Sequence, residues 1–170
     1  MIEKPIVTFV LGTRPEAIKL APVIISFKAC NYIKTRLVLT GQHDEMVESV
    51  MDSFNLKEDN NLRLMTHNQT LSDITRKTLE GLQKEFKLNR PDLVLVQGDT
   101  STAFSAALAS FYEKIYIGHI EAGLRTNELF DPFPEEANRR LISQIASLHF
   151  APTKKAIKNL ISSDIKQNLI

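Results

Sequence analysis

Short β-branched apolar runs alternate with longer helical patterns along the whole chain, and few folds accept that pattern. Ile6 to Leu11 (IVTFVL) reads as a strand buried on both faces. The turn Gly12 to Glu16 follows, with Pro15 suited to the first position of a helix. That helix is expected to reach about Ala29 with Ile18, Val23, Ile24 and Phe27 inward, and Pro22 to kink it. Thr35 to Thr40 is the second strand, and Gly41 to Asp44 opens a helix through Val47, Val50 and Phe54. Asn61 to Met65 reads as a weak third strand. Thr70 or Ser72 caps an amphipathic helix carrying Leu71, Ile74, Leu79, Leu82 and Phe86. Leu93 to Val96 and Ile115 to Ile120 are further strands, separated by a helix from Ala103 to Tyr112. A helix starts at Pro134, Leu148 to Ala151 is a short sixth strand, and Thr153 caps a last helix to about Ser162. The tail Asp164 to Ile170 reads as the start of another loop and strand. Strands alternating with helices predict an α/β fold: a Rossmann-like parallel sheet with helices on both faces.

The 170 residues suffice for one domain with its own core, over residues 1–170. The net charge of +1 gives no support for a nucleic-acid or anionic-membrane partner. No run is long and apolar enough for a signal peptide or a membrane span. The single Cys30 excludes an internal disulfide and fits a reducing, cytoplasmic setting; at the end of an apolar helix it reads as a small buried filler.

Chemistry in open α/β sheets gathers at the carboxyl ends of the strands. Three turns stand there: Gly12 to Glu16, Gln97 to Thr102, and Glu121 to Arg125. They are expected to bring Arg14, Asp99 and Glu121 together, with Glu135 on the following helix. Charged runs are usually solvated loops, but an ionisable group closing a buried strand rarely serves packing. Neighbouring carboxylates can divide acid and base roles near neutral pH. Arg14 offers a guanidinium fork to a phosphate or carboxylate, or simply pairs with Glu16. Thr100, Ser101 and Thr102 can bind an anion at a helix N-terminus, or Asp99-Thr100-Ser101 is only a cap. His119 and Glu121 share a strand face, but no third ligand accompanies them, so no metal site is expected. The Gly12 turn matches neither phosphate-binding glycine motif, so dinucleotide and ATP binding lack support.

Longer strings go further. Gly12-Thr13-Arg14-Pro15-Glu16-Ala17-Ile18-Lys19, Thr40-Gly41-Gln42-His43, Gln97-Gly98-Asp99-Thr100, His119-Ile120-Glu121-Ala122-Gly123-Leu124-Arg125-Thr126 and Pro132-Phe133-Pro134-Glu135-Glu136-Ala137-Asn138-Arg139 occur in that order. Together they resemble the non-hydrolysing UDP-N-acetylglucosamine 2-epimerases over essentially the whole chain. The resemblance implies the N-terminal half of a GT-B fold, with the UDP-binding C-terminal domain absent from this chain. It implies interconversion of UDP-N-acetylglucosamine and UDP-N-acetylmannosamine by UDP elimination and re-addition, through a 2-acetamidoglucal. Asp99, Glu121 and Glu135 would be the carboxylates of that chemistry, with Arg14 steadying the diphosphate. Arg14, Thr100 and Arg139 would bind substrate. No nicotinamide, metal or other cofactor is implied, and the implied partners are a UDP-sugar and a second copy in a homodimer. Gln42 and His43 fall in the family's regulatory region, where Glu45 and Asn68 replace the expected Gln and Arg. Two alternatives stay open: a hydrolysing epimerase or GT-B glycosyltransferase half, and a catalytically silent truncated subunit. The chain is expected to fold but not to catalyse by itself.

Overall fold

The computed structural model describes residues 3–41, 44–66 and 68–170. Gln42 and His43, the regulatory candidates, lie outside the described residues. Six parallel strands form one sheet: β1 (Ile6–Leu11), β2 (Lys34–Leu39), β3 (Asn60–Asn61), β4 (Leu93–Gln97), β5 (Tyr116–Ile120) and β6 (Leu148–Phe150). Their order is β3-β2-β1-β4-β5-β6, so the direction of winding reverses between β1 and β4. Crossovers are α1 (Arg14–Lys28), α2 (Asp44–Ser53), α3 (Leu71–Leu88), α4 (Ser101–Tyr112) and α5 (Glu135–Ile145); α6 (Lys154–Ile161) follows β6.

The period-2 alternation of strand side chains sorts the apolar residues into two cores. Val7, Phe9 and Leu11 of β1 join Leu37, Leu39 and Leu95 on the face covered by α1 and α2. Val10, Val38, Val94, Val96 and Ile117 point the other way, against α3, α4 and α5. Because both faces are covered, the central strands are mostly apolar, with buried polar exceptions such as Thr8 in β1 and His119 in β5.

Helix starts are local events. Thr70 accepts from the Asp73 N–H at 3.1 Å while Asp73 bonds back to the Thr70 N–H, so Thr70 rather than Ser72 is the cap. Thr100 and Thr153 cap α4 and α6 through the N–H groups of Ala103 and Ala156. The inward stripe of α1 is Ala17, Leu20, Ala21 and Ile24, one helical face. Ile18 lies off that stripe and is 45% exposed, contrary to the expectation, while Val23 and Phe27 pack partly buried. Pro15 takes the second helical position, and α1 runs through Pro22 as one element. Phe54 and Leu71 are exposed at the ends of their helices.

The third strand is only Asn60–Asn61. The chain then follows β2 by separate bonds, Leu62 N–H to Leu39 O and Leu64 N–H to Thr40 O. Cys30 is half-buried beyond the end of α1, not a core filler. The tail forms a 3-10 turn, Gln167–Leu169, in place of the expected strand. Among the described residues no helix is long and apolar enough to cross a membrane.

Candidate active site

The carboxyl ends of β1, β4 and β5 place the three sequence-marked turns side by side around the β1/β4 switch point, where open α/β sheets hold ligands. Beside the β4 and β5 turns lies a cleft of about 600 Å³, a volume suited to a small ligand, lined by Lys19, Gln97, Ile120, Glu121, His149 and Phe150 among others.

Glu121 is where β5 ends, and its φ is +66°. Left-handed backbone is uncommon for a residue with a side chain and costs energy that the surrounding structure must supply. The surroundings are visible: Lys19 Nζ of α1 donates to Glu121 Oε2 at 2.7 Å, and Gln97 Nε2 donates to the same oxygen. The carboxylate stays 27% exposed toward the cleft. The turn also separates it from His119. The His119 ring is fully buried and bonds Gly98 O through Nε2 at 2.7 Å, so the two side chains do not share a face as ligands would. Among the described residues no group of three or more His, Cys, Asp or Glu could hold a metal ion.

Asp99 sits one residue beyond Gly98, whose φ of +74° makes a sharp exit from β4 that suits glycine. Its carboxylate receives a fork from Arg139, Nη2 at 2.6 Å and Nε at 2.8 Å. Arg139 is 14% exposed and also reaches Glu136 at 3.2 Å, so the guanidinium assigned to substrate is already engaged by Asp99. Asn138 Nδ2 holds the Asp99 carbonyl at 2.8 Å. Asp99 and Glu121 thus each have a separate cation and do not bond one another. Gly123, with φ +88°, lies so close to the backbone of α6 at Ala156 that a Cβ there would collide with its carbonyl. That contact fixes where the loop after Glu121 can run.

Arg14 is exposed and has no hydrogen bond or ion pair among the described residues. Its expected partner, Glu16, is buried and bonded elsewhere, to the Gly12 and Thr13 N–H groups and the Thr100 hydroxyl. Burial raises the Glu16 pKa, with those three bonds pulling the other way. The Thr100 hydroxyl, expected on substrate, is therefore occupied within the protein by Glu16 and the α4 cap. Glu135 is partly exposed in the first turn of α5, and its side chain has no hydrogen bond or ion pair among the described residues. The next residue, Glu136, is the buried one. Burial would raise its pKa, but bonds from Arg140, the Thr126 N–H and Arg139 outweigh that and hold it below the usual range.

Sequence reading overlooked Lys19, Gln97 and Glu136 as individual side chains, and saw Glu16 only as a possible partner of Arg14. Thr13-x-x-Glu16 is a capping-box spacing, and Glu136 precedes Arg139 and Arg140 by three and four residues. Lys19 and Gln97 carry no comparable local signal.

Burial pushes the His119 pKa down to about 4, against the opposing bond to Gly98, so the ring is neutral at pH 7. Burial lowers His149 as well, with the Arg125 charge adding to it. A histidine depressed in the fold binds its proton more readily when unfolded. The stability it contributes is therefore present above pH 6.5 and lost as pH falls toward 4. Urea unfolding is expected to show a loss of up to about 3 kcal/mol from His119 across that window. Glu16, raised in the fold, has the opposite sign. A His119→Gln variant should flatten the dependence, and an equally steep one would show that other groups cause it.

A family model described as UDP-N-acetylglucosamine 2-epimerase matches residues 26–170. The UDP-N-acetylglucosamine 2-epimerase of Neisseria meningitidis serogroup A is 48% identical over 95% of this chain and 43% of its own length. The crystal structure of the Neisseria meningitidis enzyme bound to UDP-GlcNAc superposes with a TM-score of 0.94 and 48% identity, over 96% of this chain and 44% of that one. The lipopolysaccharide outer core galactosyltransferase WaaB, at 16% identity and TM-score 0.69, shares the fold alone, again over 44% of its length. Matched so closely over nearly all its residues, and spanning about 43% of such relatives, the chain belongs to the UDP-N-acetylglucosamine 2-epimerase family.

Proposed function

We propose that this chain is the N-terminal domain of a UDP-N-acetylglucosamine 2-epimerase and forms one wall of its active-site cleft, a UDP-binding domain forming the other. The observation that carries the reading is Glu121, held in left-handed backbone at the end of a buried strand and presented to the cleft by Lys19 and Gln97. The reaction removes the C2 proton and breaks the C1–O bond to UDP, leaving a 2-acetamidoglucal. UDP then re-adds at C1 while a proton returns to the other face of C2. Glu121, Asp99 and Glu135 are the proton-transfer and charge-stabilising carboxylates, since moving a C2 proton twice needs groups able to give and take it. Arg14, exposed and without a partner among the described residues, is free to meet the departing diphosphate. Arg139 acts on substrate through the Asp99 carboxylate that it orients, and Thr100 through the α4 N-terminus that it caps. The same reading includes a homodimer in the cytoplasm, supplying amino sugar for surface polysaccharide.

The test is NMR of the full-length protein with UDP-N-acetylglucosamine. Accumulation of UDP-N-acetylmannosamine to a fixed ratio supports epimerisation. Free N-acetylmannosamine plus UDP, without that nucleotide sugar, would show a hydrolysing enzyme, and no turnover would favour a silent subunit.

A further inference from the structure

We infer that Glu16 is a positioning residue that locks the turn carrying Arg14 to the turn carrying Asp99; its catalytic consequence rests on the reading just proposed. A Glu three residues into a helix ordinarily closes a capping box at the surface. Here the side chain is 2% exposed and sits at the switch point between β1 and β4. One carboxylate oxygen accepts the N–H groups of Gly12 at 2.7 Å and Thr13 at 2.8 Å. The other accepts the Thr100 hydroxyl at 2.6 Å, across 84 positions of sequence. Thr100 in turn caps α4 through the Ala103 N–H at 3.0 Å. A single side chain therefore ties the start of α1 to the start of α4.

Two further observations bear on the role. The turns meet so closely that a Cβ on Gly12 would stand 2.7 Å from the Thr102 side chain, so small shifts of either turn reach the other. Among the described residues no cation bonds Glu16, and burial raises its pKa, against the pull of its hydrogen bonds. Burying a carboxylate without an ion pair is costly, and three short bonds to two catalytic turns are what this placement obtains. Glu16 is buried with both carboxylate oxygens already bonded within the protein, so it acts through Arg14 and Asp99 and not on the sugar. It also occupies the Gly12 and Thr13 N–H groups in the turn ahead of α1.

In the full-length enzyme, Glu16→Met and Thr100→Val are each expected to lower kcat about tenfold or more, a loss of alignment made in the transition state, with KM changed less than about threefold. The double variant should be no worse than the poorer single one, because both break one link. Glu16→Gln, which keeps an acceptor toward the two amides and a bonding group toward Thr100, should recover most of the kcat. Additive losses in the double variant would place Thr100 on substrate independently of Glu16 and overturn the lock. So would wild-type kcat in a folded Glu16→Met. If Glu16→Met fails to fold, Thr100→Val decides through the Gly12 and Thr13 amide-proton shifts: displaced shifts support the link, unmoved ones overturn it. Those shifts do not depend on the reaction, so a wild-type protein without epimerase activity would sink the functional reading while they still decide the lock.

Discussion

Glu121→Gln in the full-length enzyme is expected to cut turnover about 10²-fold or more and to leave the fold intact, the usual size of a general acid–base contribution. The amide has the same shape and can occupy the same left-handed turn, so backbone strain does not change. What it loses in stability is the Lys19 contact, whose side chains are 51% and 27% exposed. Such a pair contributes about 0–1 kcal/mol, or a few degrees in Tm at this chain length. In the proposed mechanism the variant also loses the ability to take the C2 proton. The two readouts therefore separate: NMR interconversion of the UDP-sugars should collapse while thermal unfolding barely moves. Turnover near wild type would remove Glu121 from the proton-transfer set.

The 170-residue chain by itself is expected to fold and to give no enzymatic C2 exchange. Its two cores close on each face of the sheet with fully buried Phe9, Leu37, Leu82, Leu95 and Ile142, which argues for independent folding. Catalysis is different, because the site on this chain is open. Arg14 is exposed, Glu135 is partly exposed, and Glu121 is 27% exposed to the cleft. Positioning of substrate can supply roughly 7–11 kcal/mol of barrier lowering, and in the proposed two-domain enzyme this chain by itself would hold a nucleotide sugar from one side only. UDP is expected to bind no tighter than millimolar, about −4 kcal/mol. In heavy water, deuterium should not enter C2 of UDP-N-acetylglucosamine at an enzymatic rate. Such exchange from the chain alone would show that the site is complete without a second wall.

Several parts of this protein were settled by local sequence. A β-branched run such as Ile6 to Leu11 reads as a buried strand, since apart from Thr8 both alternating sets of side chains are apolar. Thr70, Thr100 and Thr153 begin helices because a hydroxyl there meets an N–H three residues on. The spacing of these elements also forces the turns of Arg14, Asp99 and Glu121 to one end of a parallel sheet. The partners of the site residues were beyond such reading. Glu16 could pair locally with Arg14, yet it bonds Thr100; Asp99 takes Arg139, 40 positions away; Glu121 takes Lys19, 102 positions away. Nothing in the neighbouring residues encodes these choices. They follow from strand order, from the left-handed turn that swings Glu121 toward α1, and from burial. A carboxylate enclosed at the switch point must take whichever donors the assembled turns bring within reach.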